Sequence, residues 1–388
     1  MSKKYEELGV SSSKNEVYQA LKFHNKGIYP TAFCKINEDV LGNDPKFCNI
    51  MHADGAGTKT SLAYICYKET NNLNAFRGIV HDAVVMNLDD IACVGIIDNL
   101  ILSNTIGRNK KLITGEILEV IFDEFYKFIN KLQSMEINIQ LSGGETADVG
   151  DLVRTLILDS TIIARGKKDD VIKNEKINNN DVIIGFASFG KCSYESTYNS
   201  GIGSNGLTLA RHGTLKKKYQ KLYPESFDPL INSDLVYYGM HDLLEKIPSI
   251  GLTIGEALLS PTRTYLPVLK EIFKTYRKKI SALIHCTGGG QTKCLKTGKN
   301  IHYIKDNLFK TPEIFNIIQE SSKTPWREMY QVFNMGHRLE LICEESIAEK
   351  IIQISKKFEI PAKKIGRCES STLNALTIKT EYGSFEYK

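Results

Sequence analysis

Asp54-Gly55-Ala56-Gly57-Thr58-Lys59 places a carboxylate, two glycines and an ammonium in one short stretch. The apolar run Phe47 to Ala53 ahead of it predicts a strand, and Thr60 to Tyr67 after it predicts the start of a helix. A strand, a glycine loop and a helix N-terminus together turn backbone N–H groups toward an anion. In that setting Lys59 is placed to contact a phosphate and Asp54 to hold its magnesium ion. Two better-known glycine fingerprints fail. Thr58 stands where a Walker loop needs Gly before Lys, and Thr60 where a dinucleotide loop needs a third glycine. A tight turn carrying a surface lysine fits the stretch equally well, so the surrounding chain decides.

Working outward, the 388 residues exceed one comfortable hydrophobic core and predict two domains. The charged, asparagine-rich Gly166 to Asp181 marks the boundary, giving units 1–168 and 169–388. With 42% hydrophobic and 24% charged residues the composition is that of a soluble globular protein. A formal charge of +5 is mild for this length and argues against a dedicated nucleic-acid binder. The nine cysteines are spread without a Cys-x-x-Cys pair, which argues for a reducing compartment and against structural zinc. No signal peptide opens the chain and no apolar run reaches the length of a membrane span, so a cytoplasmic, membrane-free protein is expected.

Residues 75 to 94 predict a buried helix ending at Gly95 and interrupted by Asp82, Asp89 and Asp90. Asp82 and Asp89 share a helix face; a salt bridge suits Asp82, and metal binding competes with a structural role for the Asp89-Asp90 pair. Glu116 to Ser134 is a long amphipathic packing helix. Ile137 to Leu141 reads as a strand running into a second acidic glycine loop, Ser142-Gly143-Gly144-Glu145-Thr146-Ala147-Asp148. In the second unit Val182 to Ala187 reads as a strand, and Gly201 to Gly206 leads into a helix from Leu207 without the strand a dinucleotide site requires. Arg263, after the fixed turn Ser260-Pro261, is placed either to grip a phosphate or to make a salt bridge. Ile280 to Ile284 reads as a strand delivering His285-Cys286-Thr287-Gly288-Gly289-Gly290, where His285 has the intrinsic pKa for acid/base work or serves as a structural hydrogen-bonder. Strand and helix signals alternate throughout, so the fold class is mixed α/β of the α+β type.

Together these stretches resemble aminoimidazole ribonucleotide synthetase, the phosphoribosylformylglycinamidine cyclo-ligase family of purine biosynthesis. Asp54 to Lys59 is similar to the family's Asp-Gly-x-Gly-Thr-Lys, Asp90 stands in its Asn-Asp-Leu, and Gly143-Gly144-Glu145-Thr146 matches its Gly-Gly-Glu-Thr. Ser204-Asn205-Gly206, Pro261 to Tyr265, His285-x-Thr287 to Gly290, and Glu328-Met329-Tyr330 with Phe333-Asn334-x-Gly336 follow in register. The resemblance implies a two-domain fold whose amino-terminal domains pair into a shared β-barrel in a homodimer. It implies ATP and Mg2+ at the acidic stretches of 1–168, with formylglycinamidine ribonucleotide in a cleft completed by 169–388. ATP would phosphorylate the amide oxygen, the amidine nitrogen would close the imidazole ring, and ADP and phosphate would leave. Asp54, Asp90 and Glu145 are then expected as metal ligands, with Gly55, Gly57, Thr58, Lys59, Gly143, Gly144 and Thr146 around the nucleotide. Ser204, Asn205, Gly206, Arg263, Thr287, Gly288 and Gly289 are expected around the substrate. His285, Asp54 and Lys59 are the expected catalytic residues.

This chain departs from the family pattern in three places. Thr31 to Asp44 holds only Gly42 where many members have a glycine-rich lid, Gly203 replaces a histidine, and Gln291-Thr292-Lys293 replaces an aromatic and acidic continuation. Cys34-Lys35 invites comparison with selenophosphate synthetase, a related phosphoryl-transfer enzyme acting on another acceptor, and loss of the lid glycines leaves room for a non-catalytic nucleotide-binding relative.

Overall fold

The computed structural model describes residues 4–12 and 14–388. Strands β1 (Ile36–Glu38), β2 (Phe47–Gly55), β3 (Leu100–Arg108), β4 (Ile139–Asp148) and β5 (Leu156–Lys167) form a five-stranded sheet in the order β1-β2-β5-β3-β4, with only β3 and β4 parallel. Strict alternation sends Ile50, Leu102, Ile162 and Ala164 to a buried face, which the Arg77–Ala92 and Gly115–Ser134 helices cover. The opposite face leaves Met51, Ile101 and Ile157 exposed.

The second sheet follows β6 (Val182–Ala187) and a short ribbon of β7 (Lys246–Ile247) with β8 (Leu252–Thr253). It comprises β6 with β9 (Ile280–His285), β10 (Ile301–Lys305), β11 (His337–Cys343), β12 (Ala362–Ser370), β13 (Ala375–Thr380) and β14 (Gly383–Tyr387), in the order β14-β13-β10-β12-β6-β11-β9. Every residue of β6, β9 and β11 is buried, which explains why Val182 to Ala187 and Ile280 to Ile284 read as largely apolar runs, whereas β11 buries the polar His337, Arg338 and Glu340 as well. Among the described residues no helix is long and apolar enough to cross a membrane.

The Arg77–Ala92 helix is the keystone. It packs on β2 and β5 on one side and on β9 and the Leu266–Tyr276 helix on the other, so thirteen of its residues are buried and it lacks an exposed stripe. Its three carboxylates therefore face protein, and each must find partners.

One expected loop is a strand. Gly143 and Gly144 lie within β4, where a register shift against β3 absorbs one extra residue on β4, Ser142 and Gly143 together standing opposite Ser103 alone.

Candidate active site

A cavity of about 300 Å3 lies where the two sheets meet. Its wall brings together residues from distant motifs: Asp54 at the end of β2 with Gly57 and Thr58 after it, Asp90 from the keystone helix, Ser204 to Gly206 before the Leu207–Thr214 helix, and Thr287 to Gly289 after β9. The amino-terminal Tyr5, Val10, Ser11, Ser12 and Lys14 close one side.

Local sequence accounts for the shape of the wall. Gly55 pairs with Asp159 across β2 and β5, and a Cβ there would fall inside the Asp159 carboxylate. Gly206 caps its helix in the left-handed region at φ 77°, and a Cβ would come within 2.5 Å of the Phe333 ring. Both places need glycine for space, and Gly206 needs it for backbone freedom as well.

The three aspartates of the keystone helix divide the work. Asp82 Oδ1 accepts from Lys59 Nζ at 3.0 Å and from the Thr262 backbone N–H at 2.9 Å, and Asp89 accepts from Thr264 Oγ1 at 2.7 Å and the Tyr265 backbone N–H. These two fasten the Pro261–Tyr265 segment to the first sheet's helix layer. Asp90 alone reaches the cavity.

Asp90 is held by two histidines. His285 Nδ1 lies 2.6 Å from Asp90 Oδ1 and His52 Nε2 lies 3.3 Å from Asp90 Oδ2. Burial works to raise the Asp90 carboxyl, but the hydrogen bonds from His285 and His52 outweigh it and hold the group well below the usual carboxylate range. Arg338 Nε donates to His285 Nε2 at 3.0 Å, which makes Nε2 an acceptor and leaves the proton on Nδ1, donated to Asp90. On His52, Nδ1 faces Asn87 Oδ1 at 2.8 Å while the Asn87 amide nitrogen donates to the Asp54, Ala83 and Ser160 carbonyls. Both His52 nitrogens thus face acceptors; burial opposes its charge, yet the Asp90 and Asn87 contacts raise its pKa overall.

Asp54 is raised instead, first by the protein packed around it and also by the Asp90 charge, and its Oδ1 accepts from the Gly55 N–H at 2.7 Å. Asp159 beyond Gly55 is raised by burial and by Asp54. Clustered carboxylates that repel one another supply hard oxygen donors, and a divalent cation relieves their repulsion, so Asp54 and Asp90 fit a magnesium ion.

Several expected site residues lie elsewhere. Lys59 is fully buried and donates to Asp82, to Gly203 O at 3.0 Å and to Ser260 O at 2.5 Å, so all three ammonium hydrogens are used inside the protein and none faces a phosphate. Arg263 spends its five N–H donors on both Glu195 oxygens and on the Ala187, Phe189 and Gly190 carbonyls, so it is a buried brace and not a phosphate clamp. His285 is fully buried with both nitrogens engaged, which places it behind Asp90 as a positioning residue and not as a proton donor to substrate. Glu145 pairs in a row with Thr105, Asp159 and Gly55 on the open face, whereas Asp54, Ser160, Asn104 and Gly144 form the adjacent row facing the helices. Three strand spacings, about 14 Å, separate these ends, so within one chain Glu145 does not share an ion with Asp54. Gly143, Gly144 and Thr146 stay with Glu145 on β4, away from the cavity.

Cys34 is buried and its thiol donates to Asp90 O at 3.1 Å. Burial, reinforced by the Asp90 charge, pushes the thiol well above its ordinary value, which removes the reactive-cysteine comparison. Sequence reasoning missed His52, Arg338, Lys14, Lys293 and Lys296. His52 sat unnoticed inside an apolar strand, although period-two alternation puts it on the same face as Asp54.

The family model described as AIR synthase related protein, N-terminal domain, matches residues 38–165, and the corresponding C-terminal domain model matches 178–379. The phosphoribosylformylglycinamidine cyclo-ligase of Methanocaldococcus jannaschii is 31% identical over 322 residues, covering 83% of this chain and 78% of that protein. The enzyme of the same name from Methanococcus vannielii is 32% identical over 323 residues, covering 83% and 78%. Among solved structures, T. maritima PurL complexed with AMPPCP superposes with a TM-score of 0.53 at 12% identity, covering all of this chain and 49% of that one. The chain thus spans about half of that structure's length, and the likeness establishes the fold.

Proposed function

We propose, from the premise that this chain belongs to the AIR synthase related protein family of enzymes, that it converts formylglycinamidine ribonucleotide and ATP to 5-aminoimidazole ribonucleotide, ADP and phosphate in the cytoplasm. One observation carries the reading: motifs from positions 54 to 289 converge on a single cavity between the sheets, with Asp54 and Asp90 at its wall. Residues 1–168 would supply the nucleotide and metal end and 169–388 the opposite wall.

Ring closure must expel an amide oxygen, a poor leaving group. Transfer of the γ-phosphoryl group of ATP to that oxygen makes it leave as phosphate when the amidine nitrogen attacks the carbon, and the proton lost from nitrogen passes to solvent. This chemistry requires positioning and charge neutralisation more than a covalent nucleophile. Asp54 and Asp90 would hold magnesium, which supplies charge neutralisation at the transferring phosphate. His285, locked by Arg338, and His52 keep Asp90 ionised and oriented for that task. Gly55, Gly57 and Thr58 would line the triphosphate, while Glu145 on β4, whose side chain takes the open face, would stand apart from this metal end. Ser204 to Gly206 and Thr287 to Gly289 would hold the substrate. Exposed Met51, Ile101 and Ile157 on that open face support its closure against a second copy as a shared barrel; sedimentation would then report a dimer, and Met51→Glu a monomer.

The test is magnesium-dependent ADP release with and without formylglycinamidine ribonucleotide, with the imidazole product assayed directly and Asp54→Asn alongside. Substrate-dependent ADP with equimolar product, lost in the variant, supports the reading. ATP binding without substrate-dependent turnover would overturn it.

A further inference from the structure

A phosphorylated substrate and a triphosphate bring several negative charges into one cavity, and each needs cationic partners. The two cations that the sequence offers for this are consumed, since Lys59 and Arg263 have every N–H donor committed to protein acceptors. The cations on the cavity wall are different ones: Lys14 from the amino-terminal segment, and Lys293 and Lys296 from the turn after the triple glycine. Lys293 Nζ makes a 3.2 Å bond to Thr287 Oγ1, itself on the wall, and stands 5.2 Å from the Phe33 ring centre. That leaves ammonium hydrogens for a ligand while the stem is steered toward the cavity.

The segment carrying Lys14 is built into the wall. Tyr5 N–H donates to Glu328 Oε1 at 2.9 Å, Leu8 is buried in the core, and Ser12 O lies against Gly289. Lys14 itself adopts the left-handed backbone region at φ 51°, and its N–H is held by Ser11 Oγ at 3.0 Å. Its charge acts on Asp54. The segment therefore brings a cation to the cavity from a part of the chain far from every motif.

We propose that Lys293 and Lys296, closed over by Lys14, form an anion subsite that binds a phosphate group in this cavity. The inference rests on the reading of the cavity as the reaction site. The phosphate has two possible owners, the ribose monoester of the substrate and the tail of the nucleotide, and the kinetics separate them.

The experiment uses the full chain with Lys293→Met, Lys296→Met and Lys14→Met, which keep stem length and remove charge. Ribose 5-phosphate and ATP binding are measured by calorimetry, and the KM for each substrate by ADP release. With the monoester as owner, Lys293→Met weakens ribose 5-phosphate about tenfold and raises the KM for formylglycinamidine ribonucleotide by a similar factor, with ATP binding unmoved. With the nucleotide as owner, the same loss falls on ATP. Either result supports the subsite. Wild-type affinity for both ligands in all three variants, each folded by circular dichroism, would overturn it. The binding arm needs no turnover, so failure of the proposed reaction stays distinguishable from failure of the subsite.

Discussion

Replacing Lys59 with methionine separates two roles that the sequence alone confuses. Methionine keeps the apolar stem and removes the ammonium, leaving Gly203 O and Ser260 O without that donor and Asp82 without its counter-charge. Asp82 would keep its two bonds from Thr262, while its Oδ2 already has no hydrogen-bond partner among the described residues. Removing one member of a fully buried ion pair costs about 3–5 kcal/mol. A lysine touching a phosphate would behave otherwise, because loss of one charge-assisted bond, about 1.5–3 kcal/mol, would appear in the KM for ATP with stability preserved. Urea unfolding followed by circular dichroism, with ATP KM from ADP release, reads both. Lys59→Met is expected to lose about 3–5 kcal/mol, and adding Asp82→Asn to recover at least about 1 kcal/mol by neutralising the stranded charge. A variant that unfolds at the wild-type midpoint while its ATP KM rises would refute the buried-staple reasoning.

Other expectations follow from the same geometry. His285→Asn keeps a donor near the place of Nδ1 and His285→Ala does not, so a positioning role predicts a smaller fall in turnover for Asn, by about tenfold, than for Ala; equal falls would reinstate proton transfer by the imidazole. Gly206→Ala meets the Phe333 ring and a left-handed backbone, so a loss of about 2–3 kcal/mol in thermal or urea unfolding is expected, and a wild-type midpoint would contradict the cap. Burial, aided by the Arg211 and Lys217 charges, depresses the His212 pKa well below its ordinary value, and its Nδ1 accepts from the Tyr237 N–H. The unfolded chain then binds a proton below about pH 6.5 that the folded chain refuses, so stability falls as pH drops below that value, by up to about 1.4 kcal/mol per unit from this group. His212→Phe should flatten the slope between about pH 6.5 and 5, and an unchanged slope would assign it to other groups.

What the sequence made legible was the chemistry of short stretches, and what it hid was the direction of individual side chains. The β2 strand, its glycine turn and the Lys59–Thr70 helix stand where Asp54 to Lys59 placed them. Yet Thr58 and Lys59 are neighbours, and one faces the cavity while the other is sealed beneath it. The start of the helix turns successive residues by about 100°, and no local pattern says which of them meets the second sheet. The same limit applies to Asp89 and Asp90, adjacent on a helix whose whole circumference is buried. Their separate fates depend on Pro261–Tyr265 and on His285, each more than 170 residues away along the chain. Ser142–Asp148 failed for a different reason: its glycines signal a loop, but the parallel pairing of β4 with β3 supplies hydrogen-bond partners that hold them extended. That pairing fixes which face Glu145 occupies, and hence that one chain cannot gather all three expected acidic ligands around one ion. The motif identifies the family; the two faces of the first sheet decide which of its acids can work together.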